Sequence, residues 1–296
     1  MSLDCACSIG RRWPSYDTVP GLRLIVLVEN RPGRGCAAAH GFAAWLEIGD
    51  VVVLVDTGPD PDLLASNARV LGLDLSRVEA VVLSHGHDDH SGGLPAVVDA
   101  RRGRPLAVVM HPAATRPRYS RRTGTARFIG MPEASQAAMK AAGVTVVPSA
   151  QPTCVLPGVW VTGAIPRRHV DAREAHLVLD VEGRQTDPLD DDQAVVVDTM
   201  HGLAVICGCA HAGIVNTLDL ISEVRPNVSF ALVVGGLHLG SADPAAISRI
   251  GECLLKRRVG RCILGHCTGE RAKLILAEQL GDKLTTLTCG SRLEIP

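Results

Sequence analysis

Short apolar runs alternate with segments of helical spacing along the first half of the chain. The runs at residues 22–28, 43–48, 51–55, 80–83, 106–110, 144–147 and 159–162 predict β-strands, and a Gly-Asp step between the second and third is typical of a hairpin. Segments 61–71, 94–100 and 132–142 predict helices. The first half therefore predicts strands interleaved with helices.

The second half repeats this alternation, with strands predicted at 175–181, 194–198, 203–207, 231–234, 261–264 and finally 284–288, and helices at 214–224, 244–257 and 269–280. Residues 183–192 contain four aspartates and predict a surface loop. Two facing sheets with helices outside would bury such strands on both faces, which is an α/β architecture. No linker divides the chain, so we expect one domain over residues 1–296, with residues 1–20 as a poorly ordered N-terminal extension.

A dense polar cluster follows the apolar run at residues 80–83. From His85 to His90 the chain reads His-Gly-His-Asp-Asp-His. Imidazole and carboxylate are the usual ligands of zinc and related metals. These side chains cannot all point at one ion, but they can surround two neighbouring points. The cluster therefore predicts a site for two metal ions, and the alternative is a polar surface loop.

The spacing His-x-His-x-Asp-His closely resembles the signature of the metallo-β-lactamase superfamily. The resemblance implies the four-layer αβ/βα sandwich of that superfamily. It implies that His85 and His87 bind one metal and that Asp89 and His90 bind the second, with Asp89 also catalytic. The cofactors implied are two divalent metal ions, chiefly zinc, with iron or manganese as alternatives.

Three later strands end in glycine followed by histidine, at His211, His238 and His266. Because strand ends on one edge of a sheet converge on one crevice, we expect these histidines to face the same place, and we assign His238 a catalytic role. The blocks over roughly residues 22–290 resemble the branch named for dihydropteroate-synthase-like or dihydropterin ribofuranosyl-aminobenzene-phosphate-synthase-like proteins. That resemblance implies that His211 and His266 are metal ligands.

The chain departs from the superfamily pattern where many members have a metal-bridging aspartate. The corresponding strand ends in Gly-Cys instead of Gly-Asp, so Cys209 or His211 supplies the bridge, or the bridge is absent. For Cys209 and Cys267 we favour the role of small buried apolar residues. We expect Asp56 to orient a ligand histidine, and the alternative is a capping role at a turn.

Residues 101–127 contain eight arginines and no acidic residue, which predicts a site for an anion because guanidinium binds phosphate and carboxylate in bidentate fashion. We assign Arg121, Arg122 and Arg167 to substrate binding, together with His40, since the resemblance implies that its hairpin covers the metals. The alternative is a solvated basic loop. Nucleic acid is disfavoured because few aromatic side chains accompany the arginines.

Composition excludes several classes of protein. The net charge of −1 gives no general attraction to nucleic acid or membranes, and no apolar run is long enough for a transmembrane helix. The N-terminus lacks the apolar core of a secretory signal, so we expect a cytoplasmic protein. Ten cysteines without paired spacing do not predict a disulfide framework, and Cys5-Ala-Cys7 is expected to be a reduced terminus. The sequence indicates no oligomeric state.

These features predict a metal-dependent hydrolase in which a metal-bound hydroxide attacks an ester, lactone or phosphodiester of a small anionic molecule. The resemblance implies a pterin-related transferase or synthase on the same dinuclear site as an alternative. A diiron redox protein is a third hypothesis, although flavodiiron relatives have Glu at the position of His87. A non-catalytic metal-binding module is the last.

Overall fold

The apolar runs pair into two seven-stranded β-sheets in the computed structural model, which describes residues 18–19, 21–169 and 175–295. The strands of the first sheet are β1 (Leu22–Val28), β2 (Ala43–Ile48), β3 (Val51–Val55), β4 (Val78–Val82), β5 (Leu106–Met110), β8 (Val144–Pro148) and β17 (Arg292–Ile295). The strands of the second sheet are β9 (Thr153–Leu156), β10 (Val159–Val161), β12 (Ala194–Thr199), β13 (Gly202–Cys207), β14 (Phe230–Gly235), β15 (Arg261–Leu264) and β16 (Leu284–Thr286). A small third sheet comprises β6 (Tyr119–Ser120), β7 (Arg127–Phe128) and β11 (Leu177–Val178).

Each large sheet is antiparallel in one half and parallel in the other. The first has the order β17-β1-β2-β3-β4-β5-β8, and the pairs from β3 onward are parallel. The second has the order β16-β15-β14-β13-β12-β10-β9, and the pairs from β16 to β13 are parallel. Since parallel strands end at the same edge of a sheet, loops that follow β3, β4, β13, β14 and β15 can meet.

Helices cover the outer faces of both sheets, which confirms the predicted α/β four-layer sandwich. The helices are α1 (Pro61–Val70), α2 (Asp88–Ser91), α3 (Leu94–Arg101), α4 (Glu133–Ala138), α5 (Ile214–Val224), α6 (Pro244–Lys256) and α7 (Glu270–Leu280). Apolar residues of α1 and α3 pack on the first sheet, and those of α5, α6 and α7 pack on the second. A third cluster of apolar residues fills the space between the sheets.

Strand β3 shows why this layering follows from the sequence. All five of its residues are buried. Val51, Val53 and Val55 point into the layer between the sheets, whereas Val52 and Leu54 point toward the helices. Side chains alternate between the two faces of a strand, so an unbroken apolar run is stable only where both faces are covered.

Several predictions of local structure are wrong. Residues 284–288 are not the final strand, because Arg292–Ile295 returns to the first sheet and pairs with β1. The predicted strand at 175–181 is reduced to Leu177–Val178. The predicted surface loop at 183–192 contains three buried aspartates, Asp187, Asp191 and Asp192. The N-terminal extension, except residues 18 and 19, and Cys5-Ala-Cys7 lie outside the described residues. Within the described residues, no helix is long and apolar enough to cross a membrane.

The layering predicts that Leu54→Ala is strongly destabilising. Leu54 is fully buried between the first sheet and its helices, so truncation removes apolar contacts and leaves a cavity. We expect the free energy of unfolding to fall by about 2–5 kcal/mol in urea titrations. Leu274→Ala is the matched control, because that side chain is 69% exposed on α7. Equal losses for the two variants would contradict the assignment of the core.

Candidate metal centre

The predicted ligands converge at one edge of the two sheets. The loop after β4 contributes His85, His87, Asp89 and His90, while the loops after β13, β14 and β15 contribute His211, His238 and His266. All of these side chains except those of Asp89 and His238 belong to buried residues. The structure therefore brings together residues that are separated by up to about three-fifths of the chain.

The first group contains His85, His87 and His211. His85 Nε2 lies 3.0 Å from His87 Nδ1, and the His211 ring lies 4.8 Å from that of His85 and 5.0 Å from that of His87. His87 Nε2 and both ring nitrogens of His211 are buried and have no hydrogen-bond partner among the described residues. Buried polar atoms are nearly always satisfied, so one nitrogen of His211, together with His85 Nε2 and His87 Nδ1, fits a metal ion as a partner.

The second group contains Asp89, His90 and His266. His90 Nε2 and His266 Nε2 lie 3.1 Å apart, and Asp89 Oδ2 lies 3.5 Å from the first and 3.4 Å from the second. His40 Nε2 lies 3.3 Å from Asp89 Oδ2, although the His40 side chain is 69% exposed. Two imidazoles and a carboxylate that point at one another fit a second metal ion.

Asp56 orients His90, a member of the second group, through the Nδ1 atom of its ring. Its carboxylate accepts hydrogen bonds from Ser84 N and Ser84 Oγ, both at 2.7 Å, and lies 2.7 Å from His90 Nδ1. With Nδ1 of His90 held by a carboxylate, Nε2 is the nitrogen that faces His266 and Asp89. Asparagine does the same for His266, whose Nδ1 lies 3.0 Å from Asn30 Oδ1. Such partners fix the ring orientation of ligand histidines.

Burial sets the protonation of the cluster. It lowers the pKa of His85, His87, His211 and His266 well below the ordinary value, with neighbouring positive groups adding to the effect. Burial also lowers the pKa of His90, but the carboxylates of Asp89 and Asp56 outweigh it and raise that pKa to about 9. Four of the five imidazoles are therefore neutral at physiological pH, which is the form that binds a metal.

The backbone is strained at this edge of the sheets. Asp56, Ala210, His238 and His266 have φ between 47° and 57°, in the left-handed region that non-glycine residues rarely adopt. Such conformations cost on the order of 1–3 kcal/mol each and cluster at functional sites. The strain is consistent with a site in which side-chain direction matters more than local stability.

Two thiols lie beside the histidines. We expected Cys209 and Cys267 to be small buried apolar residues, but Cys209 Sγ lies 3.2 Å from His90 Nε2. Cys267 Sγ accepts a hydrogen bond from His238 N at 3.3 Å and lies 3.6 Å from the carbonyl oxygen of Cys209. Burial raises the pKa of Cys209. Contacts with Cys209 and His238 outweigh burial at Cys267 and lower its pKa.

The loop before β12 binds the two metal loops, which are the loops after β4 and β13 that carry candidate ligands. Asp191 accepts hydrogen bonds from Gly86 N at 2.8 Å and from the fully buried Arg118 at 2.7 Å, while Asp187 pairs with the same guanidinium at 2.7 Å. Asp192 accepts from Ala212 N at 2.8 Å, and burial raises its pKa to about 7. Sequence reasoning missed these residues. The signal was the acidic run that directly precedes an apolar strand.

A cavity of about 750 Å³ opens over both ligand groups. Its wall includes His40, His176, His238, Arg122 and Arg127. The side chains of Asp89, His87, His211 and His266 also line it, so these four candidate ligands are accessible from the cavity.

The other assigned arginines have partners elsewhere. Arg121 donates to the carbonyl oxygens of Val181 and Glu182 and is not among the residues that line the cavity. Arg167 donates to the carbonyl oxygens of His211 and, at 2.9 Å, of Leu189. The structure therefore places Arg121 and Arg167 against backbone, where they support loops, and brings only Arg122 and His40 of the assigned substrate-binding residues to the cavity.

An αβ/βα sandwich with one group of three histidines and a second group of two histidines and an aspartate at its strand ends defines a protein of the metallo-β-lactamase type. The family model described as the metallo-beta-lactamase superfamily matches residues 38–215, and the chain belongs to that superfamily. The predicted resemblance is therefore confirmed.

Several known proteins are similar to this chain over most of its length. The crystal structure of Tm1679, described as a metal-dependent hydrolase of the beta-lactamase superfamily, is 29% identical with a TM-score of 0.79, and the match covers 93% of this chain and 99% of that one. The 7,8-dihydropterin-6-methyl-4-(beta-D-ribofuranosyl)-aminobenzene-5'-phosphate synthase of Methanocaldococcus jannaschii is 24% identical over 289 residues, which are 92% of this chain and 96% of that one. Protein MJ0448 of the same organism is 28% identical over 259 residues, covering 86% and 93%.

The contacts of the loop before β12 predict that Asp191→Asn is destabilising. The change removes one of the two carboxylates that neutralise the buried Arg118 and weakens the acceptor for Gly86 N. We expect a loss of about 3–5 kcal/mol in the free energy of unfolding, measured in urea. Asp190→Asn is the matched control, because the Asp190–Arg116 pair is exposed and should contribute at most about 1 kcal/mol. A loss for Asp191→Asn no larger than that of the control would be evidence against the role of the buried network.

Proposed function

We propose that this protein is a metal-dependent hydrolase that cleaves an ester, lactone or phosphodiester bond in a small anionic molecule. The observation that carries the proposal is the pair of adjacent ligand groups at the floor of a cavity whose wall includes two arginines. Membership of the superfamily and the likeness to a metal-dependent hydrolase support the class of reaction.

The six predicted ligands divide between two ions in this proposal. His85, His87 and His211 hold one, and Asp89, His90 and His266 hold the other. Two divalent ions, zinc best suited to this donor set, would supply an activated water at neutral pH and polarise the bond under attack. Asp56 keeps Nε2 of His90 directed at the second group.

The cavity wall supplies the remaining roles. The His238 ring lies beside that of His211, with centroids 4.2 Å apart and the planes tilted by 49°, where it can donate a hydrogen bond to the group under attack. Arg122 and Arg127 line the same cavity and would bind the negative charge of the substrate. Arg127 Nη1 lies 3.9 Å from Asp88 Oδ2, which keeps its guanidinium near the metal loop.

A pterin-related synthase is the second candidate function. It is favoured by the relative from M. jannaschii that bears that name and aligns over almost the full length of both chains. The same two ligand groups would then activate a phosphorylated substrate for group transfer. Incubation with phosphodiesters, lactones and pterin phosphates, with and without an acceptor, separates the candidates, because a hydrolase forms product from substrate and water alone.

Asp89→Ala tests the metal-dependent reaction. Asp89 is the carboxylate of the second group, so its loss should leave one metal per chain instead of two and lower kcat/KM by more than about 100-fold, since changes behind a ligand already cost 10–100-fold. Elemental analysis and turnover of the best substrate provide the measurements.

Asp99→Ala, an exposed position on α3, is the control and should retain both metals. Full turnover by the Asp89 variant would remove Asp89 from the proposed centre. Active wild-type protein without bound metal would refute the metal-dependent hydrolase altogether.

The double variant Arg122→Ala/Arg127→Ala tests the charge of the substrate. A charged hydrogen bond contributes about 1.5–3 kcal/mol, so KM for an anionic substrate should rise by about tenfold or more, and the effect should shrink at high salt. Arg102→Ala/Arg104→Ala is the matched control, because both side chains are exposed and neither lines the cavity. An equal rise of KM for a neutral analogue would show that these arginines do not recognise charge.

A further inference from the structure

The sulfur of Cys209 lies between the two ligand groups. It falls within 4.8 Å of ligand atoms of His85 and His211 in the first group, and equally of His90 and His266 in the second. Its distance to His90 Nε2 is 3.2 Å. Among the described residues, Cys209 is the one side chain that lies beside two histidines of the first group and also beside two histidines of the second. A ligand shared by two ions would occupy such a position.

The local backbone explains how a cysteine reaches this point. Gly208 passes so close to the metal loop that a Cβ on it would lie 2.0 Å from Ser84 Oγ and 2.6 Å from Asp56 Oδ2. The close approach carries the end of β13 against the loop after β4. Ala210 then adopts a left-handed φ of 52°, and the turn directs Cys209 and His211 into the same crevice.

We propose that Cys209 is a thiolate ligand shared by the two metal ions, at the strand end where the resemblance to the superfamily implies an aspartate. The proposal rests on the proposed dinuclear centre. The thiol loses its single proton to solvent when the first metal–sulfur bond forms, and a second lone pair of the same thiolate sulfur binds the other ion. Thiolate favours zinc, whereas oxygen ligands suit manganese and magnesium, so the substitution makes the centre selective for thiophilic ions.

Cys267, unlike Cys209, does not lie between the two ligand groups. Its sulfur is close to Cys209 and His238, and it accepts from His238 N at 3.3 Å, so it faces the end of β14. No ligand group that contains His85, His90, His211 or His266 includes it among the described residues. Cys207 provides a cleaner control, because its side chain is buried in the apolar core of the second sheet.

Cobalt substitution tests the assignment without relying on activity. Wild-type protein loaded with two equivalents of Co²⁺ should show a thiolate-to-cobalt charge-transfer band. Cys209→Ala and the more conservative Cys209→Ser should lose it, while Cys207→Ala and Cys267→Ala should keep it. Cys209→Asp should bind two metals without the band, and its preference for Zn²⁺ over Mn²⁺ should fall by about tenfold or more, as expected for a change at a metal site. Far-ultraviolet circular dichroism establishes that each variant is folded.

The outcomes separate this proposal from the proposed function. A band that survives in folded Cys209→Ser, disappears in Cys267→Ala, or is absent from wild-type protein with two bound Co²⁺ overturns the shared thiolate, while the dinuclear hydrolase stands. Wild-type protein that binds no metal overturns both. Loss of the band in the Cys209 variants alone, with two metals retained by Cys209→Asp, is the result we expect.

Discussion

The arrangement of the candidate metal centre depends on one buried carboxylate, that of Asp56. It joins the end of β3 to the loop after β4 through Ser84 and holds His90 by its Nδ1 atom. A buried carboxylate is stable only when hydrogen-bonded or paired, and these three contacts satisfy it. The same contacts set the direction of His90 Nε2. Stability of the fold and orientation of a ligand are therefore achieved by one residue.

The two sheets contribute unequal parts of the site. The first supplies the dense His/Asp loop, in which four candidate ligands are close in sequence. The second supplies one or two residues from each of three successive strand ends, namely Cys209 and His211 after β13, His238 after β14 and His266 after β15. The loop before β12 connects the two, because Asp191 bonds the backbone of the first loop and Asp192 that of the second. The metal loops are thus held on their inner side, away from the cavity.

The cavity explains how the candidate centre can be both buried and accessible to a small molecule. Its floor consists of imidazoles that burial keeps neutral, and its wall carries Arg122 and Arg127. Positive charge on the wall attracts an anion toward the floor, where the neutral histidines carry no charge of their own. Arg118 and Arg101 belong to the same arginine-rich segment but are buried, with partners in Asp191 and in backbone carbonyls. One basic stretch therefore divides into structural and cavity-facing members.

The sequence by itself determined the layered α/β fold and the His/Asp loop, because strand burial and the spacing of ligands within one turn are local properties of the chain. Only the tertiary structure decided which arginines face the cavity, that three aspartates of the loop at 183–192 are buried, and that β17 returns to the first sheet. It also decided that Cys209 lies among the candidate ligands. Each of these depends on a partner distant in sequence, and a charged or sulfur-containing side chain has no periodic pattern that reveals which partner it will meet.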